Sequence, residues 1–205
     1  MTSIKNKRIE EFTMEEWGEF FPIEMISPRK EWPSIFRKEK ELILKTLTSS
    51  IVKSIEHIGS TAIPNLASKG SIDMLIDISN ELLFDSSIVE KMETIGYEYC
   101  IQGGFGQEYM IFAKGFNRDG KKEQQYFVHM TPKSHTELWD RIYFRDFLIA
   151  HPEVAIEYEN LKMKLTAKFS KHRRNFRIGK TDFVMKITEL AKQENDQQNN
   201  YPLKK

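Results

Sequence analysis

Ile55-Glu56-His57-Ile58-Gly59-Ser60-Thr61 and, after a connection interrupted by Pro64, Ser71-Ile72-Asp73-Met74-Leu75-Ile76-Asp77-Ile78 decide how this chain is read. The first stretch reads as a strand running into Gly-Ser-Thr, and the second as a strand that carries carboxylates. Gly59 lets the backbone turn tightly, and Ser60 and Thr61 place hydroxyls at an expected helix start. The unpaired N–H groups and positive dipole end of such a start suit a phosphate. Asp73, on the neighbouring strand, would hold the divalent metal that phosphates bring with them. The two segments together predict a nucleotide or phosphate site.

Alternation along a strand puts Ser71, Asp73, Leu75 and Asp77 on one face, with same-face neighbours roughly 7 Å apart. No acid flanks Asp73 there, and Asp77 lies about 13 Å away. A two-metal centre needs ions about 4 Å apart, each with several oxygen ligands. The pattern therefore predicts a single Mg²⁺ on Asp73 and the ligand's own phosphates, with Glu56 or His129 as helper.

Outward from this pair, apolar spacing predicts a helix over 32–47 that tolerates Pro33 in its first turn. A strand is expected at 51–58, a second at 71–78, and a helix over 86–95 closed by Gly96. Strands are expected at 108–113 and 124–130, joined through Asp119-Gly120, with helices at 134–150, 152–170 and 181–193. Residues 1–21 form an N-terminal extension whose Phe12, Trp17, Phe20 and Phe21 suggest a short docking helix. Residues 22–192 form the main domain, and the Gln- and Asn-rich tail 193–205 is expected to be disordered. The fold class is α/β (α+β): a mixed sheet flanked by helices, with a helical C-terminal third.

The chain's 205 residues suffice for one domain with a real core. Lys+Arg 31 against Asp+Glu 30 gives a formal charge of +1, which announces no nucleic-acid groove. The lone Cys100 excludes a disulfide framework and a cysteine metal site. No signal-peptide core and no membrane-length apolar run is present, so the cytoplasm is the expected compartment.

Glu56 through Asp73 resembles the GrpB family, a branch of the nucleotidyltransferase superfamily with a DNA polymerase beta-like fold. That family's pattern runs Glu-His-Ile-Gly-Ser-Thr-(Ala/Ser)-Val-Pro-Gly-Leu-Ala-(Ala/Ser)-Lys-Pro-Ile-Ile-Asp. Glu31-Trp32-Pro33, Ile95-Gly96-Tyr97, Phe144-Arg145-Asp146-Phe147-Leu148, His151-Pro152-Glu153 and Gly179-Lys180-Thr181-Asp182-Phe183 extend the match in order. Three departures stand out: Lys69-Gly70 replaces Lys-Pro, Phe127-Val128-His129 replaces His-x-His, and Ser27-Pro28-Arg29-Lys30 replaces a Tyr-Asp.

The resemblance implies a nucleotidyltransferase that binds a Mg-nucleoside triphosphate and modifies an unidentified acceptor. In that scheme Gly59, Ser60 and Thr61 hold phosphates, Asp73 carries the metal, and His57 or His129 takes the acceptor's proton. Lys69, Arg145 and Lys180 would meet phosphate charge. Plainer readings exist for each. Ser60 and Thr61 can be helix caps, His57 a hydrogen-bonded strand-end group, and Lys69 a solvated loop lysine. Arg145 can be an ion-paired helix residue, although Asp146 is expected to lie too far round the helix to be its partner. Lys168, Lys171, His172, Arg173, Arg174 and Arg177 read either as a solvated helix end or as an anion-facing wall. Trp139, Tyr143 and Phe147 have core spacing. Two other functions remain open: a non-catalytic module for a nucleotide or CoA-like ligand, as the family's fusion to some dephospho-CoA kinases suggests, and a protein-interaction module.

Overall fold

The computed structural model describes residues 7–100, 109–119 and 121–200, the side chains of 197–200 excepted. Five strands form one mixed sheet in the order β1-β2-β5-β4-β3. They are β1 (Ser54–Ile58), β2 (Ile72–Asp77), β3 (Glu98–Cys100), β4 (Met110–Lys114) and β5 (Tyr126–Thr131). β2 runs parallel to β5, and every other pairing is antiparallel.

One face of the sheet presents Ile55, Ile72, Met74, Ile76, Met110, Phe112, Val128 and Met130. These bury against α2 (Trp32–Leu47) and α3 (Ser86–Thr94), through Trp32, Ile43, Leu47, Ile88 and Met92. Glu39 interrupts the apolar stripe of α2 yet is 6% exposed, because Lys114 Nζ donates to it at 2.7 Å.

The opposite face carries Asp73 and is covered in two patches. At the β3–β4 side, α1 (Met14–Phe20) and its flanks bring Ile9, Phe12, Trp17 and Phe21 onto Ile111, Ala113, Phe116 and Phe127. The docking helix expected of the N-terminal extension is thus present, with Thr13 capping it through Glu16 N–H. At the β1–β2 side, α4 (Thr136–Ala150) lays Leu138 and Trp139 over Ile58 and Leu75. Behind it, α5 (Pro152–Phe169) and α7 (Thr181–Asn200) pack Tyr158, Ala155 and Ile187 with Ile63 and Leu66 from the β1–β2 connection. Between α5 and α7 lies α6 (Arg173–Ile178).

Several expectations shift. β1 starts at Ser54 rather than at 51, because residues 49–51 form a turn. β3 and α6 were not expected; both are short, and α6 is basic rather than amphipathic in appearance. The segment from Gln193, read as tail, continues α7 through Asn200, where Glu194 meets His151 Nε2 at 3.1 Å. Residues 201–205 and Glu108, the first residue of an expected strand, lie outside the described residues. Tyr143 is 38% exposed, while Phe144 takes the core position beside it. Among the described residues no helix is long and apolar enough to cross a membrane.

Candidate functional site

Gly59 ends β1 at φ 72°, ψ −174°, a region open essentially to glycine alone. Its tight approach has a second cause: a Cβ there would stand 2.7 Å from Asp73 Oδ2. The Gly-Ser turn and Asp73 are therefore in direct contact, as the pairing of the two strands predicted. The segment after the turn departs from expectation. Ser60–Ala62 is a single 3-10 turn without a side-chain cap, so no long helix dipole adds to an anion's attraction. Thr61 is buried, donates its hydroxyl to Ser71 O at 3.1 Å, and lies 3.0 Å from His57 Nε2. That hydroxyl is already engaged within the protein and is not offered to a phosphate.

Register separates the two histidines. His57 pairs with Met74, so its ring faces the α2 layer, where it stacks on Phe36 with centroids 4.6 Å apart. Because Thr61 donates to Ser71, the His57 Nε2 is the donor to Thr61. Desolvation lowers the His57 pKa to about 4, with Asp73 opposing and Arg145 reinforcing the fall. His57 braces the turn from the face opposite to Asp73. His129 pairs with Leu75 and Ile111 and shares the Asp73 face. Burial, then Arg141 and Lys69, hold it well below the usual imidazole range. Its Nδ1 and the Ser71 Oγ are buried without a hydrogen-bond partner among the described residues. Such atoms are rare and cost about 1–3 kcal/mol each.

Glu56 also lies on the Asp73 face but is bound to Arg145 Nη1 at 3.0 Å. Arg145 Nη1 further donates to His57 O at 2.8 Å, and Nε to Asp146 Oδ1 at 2.7 Å. Asp146 is thus within reach after all: the long Arg145 side chain curls back to its neighbour. Arg145 joins α4 to β1 through these bonds, away from any phosphate role, and Glu56 is neutralised by it. Phe127 stands in register beside Asp73, and among the described residues no three His, Cys, Asp or Glu converge on a metal position. Asp73 is the one carboxylate at the turn, which fits a single ion that takes its other oxygens from phosphates.

Lys69 and Arg173 lie near this acid. Lys69 holds its ammonium 5.0 Å from the Phe127 ring centre. It reaches solvent through the open cleft but is hemmed in by protein. Desolvation brings its pKa to about 8, against the pull of Asp73 and with Arg173, Lys180 and Arg141 adding to the fall. Arg173 donates from Nε and Nη2 to Phe21 O, lies over Trp17, and is drawn to Asp73. Lys180 reaches Tyr158 Oη at 3.4 Å. The basic run 168–177 divides: Arg173 turns inward, while Lys171 pairs with Glu19 on the surface.

Sequence reading missed Lys162. It is 3% exposed on α5, over the Tyr158 ring, and donates to Ser60 Oγ at 3.1 Å and to Ala67 O. Burial, helped by Lys180 and opposed by Glu159, lowers its pKa to about 7. The signal was available: Ala155, Tyr158 and Lys162 share the buried stripe of α5, and a lysine on an apolar stripe needs a reason.

The site is a Gly-Ser turn closing on the acid of the next strand, in a mixed-sheet α/β domain. Residues 22–190 match the family model described as GrpB protein, and the chain belongs to the GrpB family. It is 34% identical over 87% of its length to UPF0157 protein YqkA of Bacillus subtilis, about half (50%) of whose length it spans. It is 30% identical to the glutamate-rich protein GrpB of Alkalihalophilus pseudofirmus, over 80% of this chain and 92% of that one. The crystal structure of conserved protein GrpB from Enterococcus faecalis superposes with a TM-score of 0.70 at 26% identity. That overlap covers 84% of this chain and 99% of the other.

Proposed function

We propose that this protein binds a Mg-nucleoside triphosphate at the Gly59-Ser60 turn and slowly transfers its nucleotidyl group to an acceptor. The observation that carries this reading is the charge at the turn. Lys69 and Arg173 lie near Asp73, Arg141 and Lys180 add positive charge beside Lys69, and Lys162 with Glu159 stands next to Lys180. Like charges so placed repel until an anion joins them, and a triphosphate is an anion of the right density.

Ser60 and the turn's backbone take phosphate oxygens, and Lys162 and Lys180 neutralise them. Asp73 is the residue that would hold Mg²⁺, which when bound draws charge from the leaving pyrophosphate. His129, neutral and on the same face, accepts the acceptor's proton. Its depressed basicity makes it a weak base, in keeping with slow turnover. His57 is a positioning residue acting through Thr61.

A second reading, binding without turnover, is favoured by Phe127 standing where a further carboxylate would help a second ion. The interaction-module reading is disfavoured, since Phe12, Trp17 and Phe21 are engaged in an internal cluster.

Thermal-shift titration with four Mg-NTPs, together with a pyrophosphate-release assay, tests the proposal. A ligand selective for the native state raises the midpoint. Asp73→Asn should abolish the Mg²⁺ dependence of that rise while leaving the fold intact. No rise with any of the four would overturn nucleotide binding; a rise without pyrophosphate would leave the binding module.

A further inference from the structure

Beside the Asp73 turn runs a groove of about 520 Å³, between the N-terminal segment around Phe21 and the β4–β5 connection. Its size is that of small-molecule sites. Lys69 and Arg173 line it, and both also face Asp73, so groove and turn are contiguous. Arg29 lines it as well.

None of these three cations has a carboxylate within ion-pair distance among the described residues. Lys69 sits over Phe127 and Arg173 bonds the Phe21 carbonyl. By contrast Lys122, in the same lining, is already paired with Glu24 at 2.9 Å. The floor is Gly70, at φ +82°, where a Cβ would strike Ile26 Cδ1 at 2.8 Å; Gln124 Nε2 fixes its carbonyl at 2.7 Å. Proline, which stands here in the family pattern, cannot adopt that φ. The turn into β2 at Gly70 is therefore one that proline could not make.

We propose that this groove is the acceptor subsite and that it takes a small phosphate-bearing molecule, its phosphate among Arg29, Lys69 and Arg173. This rests on the Mg-nucleotide reading of the neighbouring turn. A hydroxyl of that molecule attacks the α-phosphorus and its proton passes to His129. The bond from that phosphorus to the bridging oxygen breaks, and pyrophosphate leaves with the electron pair. A nucleic-acid strand fits less well, because Glu123 in the lining would repel one of its successive phosphates.

The test is calorimetry on the full chain, titrated first with Mg²⁺ and a non-hydrolysable ATP analogue. The saturated protein is then titrated with glucose 6-phosphate, ribose 5-phosphate, inorganic phosphate and an oligouridylate. Arg29 is exposed, so Arg29→Glu leaves the fold untouched. One sugar phosphate should bind the parent and lose about tenfold or more in affinity with Arg29→Glu, while the analogue's affinity is unchanged. Sugar phosphates that ignore Arg29→Glu, or that fail on a chain binding the analogue, would overturn the groove and leave the nucleotide site standing. Failure of the analogue itself would overturn the nucleotide reading on which the subsite rests. Arg29-dependent binding of the oligouridylate alone would overturn the small-molecule class.

Discussion

At Gly59, backbone conformation and packing make the same demand. Alanine there would occupy a conformation that costs about 1–3 kcal/mol, and its methyl would push on Asp73 Oδ2. Gly59→Ala should lower urea stability by at least that amount and weaken Mg-nucleotide binding. Ser60→Ala, by contrast, should cost about 1 kcal/mol or less and act mainly on binding. Lys162 works against stability in the free protein. Its folded pKa is about 7, whereas the unfolded chain keeps the ordinary 10.5. Between those values the unfolded state holds the extra proton, so stability rises with pH from about 7 to 10.5 and is flat below. Lys69, whose side chain is exposed at the surface, adds to the same trend from about 8 only weakly. Lys162→Met should flatten much of that rise, stabilise the ligand-free protein near pH 7, and abolish the thermal response to Mg-ATP. A methionine variant less stable than the parent near neutral pH would contradict this account. At this scale the closeness of Gly59 to Asp73 was legible because both belong to one stretch of chain. Lys162 was not, and Arg173 was legible only as one of a basic cluster, because their contacts are with Ser60 and Phe21, a hundred and more residues away. For His57 the catalytic and the hydrogen-bonded structural readings both stood, since strand alternation says which residues share a face, not which face is open.

Among the elements, the joint between α4 and β1 depends on Arg145, which bonds Glu56, the His57 carbonyl and Asp146. Charged hydrogen bonds are worth about 1.5–3 kcal/mol, so Arg145→Ala should lower urea stability by an amount of that order. Asp146→Asn, at the exposed end, should change little. Nucleotide binding in Arg145→Ala should weaken only as far as the turn loosens; its complete loss without unfolding would reinstate Arg145 as a phosphate ligand. Long, periodic elements were readable in advance: α2 and α5 nearly to the residue, and β2 from its alternation. Short ones were not. Three residues of β3 at the sheet edge and six of basic α6 carry too little periodicity to register. The polar end of α7 misled for the opposite reason: Gln193, Glu194, Gln197 and Gln198 favour helix without an apolar face, and the helix runs on through Asn195 and Asp196.

In the whole molecule, the strand order β1-β2-β5-β4-β3 places β2 beside β5, across a long stretch of intervening chain. No local pattern states that order, because it is set by pairings between segments distant in the chain. The order puts the Gly-Ser turn between two coverings of the sheet, one from the N-terminal segment and one from the helical third. Lys162 reaches from the second covering to Ser60 and Ala67, and Glu159 Oε2 accepts from Ala67 N–H at 2.6 Å. A phosphate bound by both Ser60 and Lys162 would therefore act as a rivet through two layers of the protein. Occupancy should then slow amide hydrogen exchange along α5 and in the 59–68 segment together, far more than in α2 on the other face of the sheet. The helical third would in that way record whether the turn is filled.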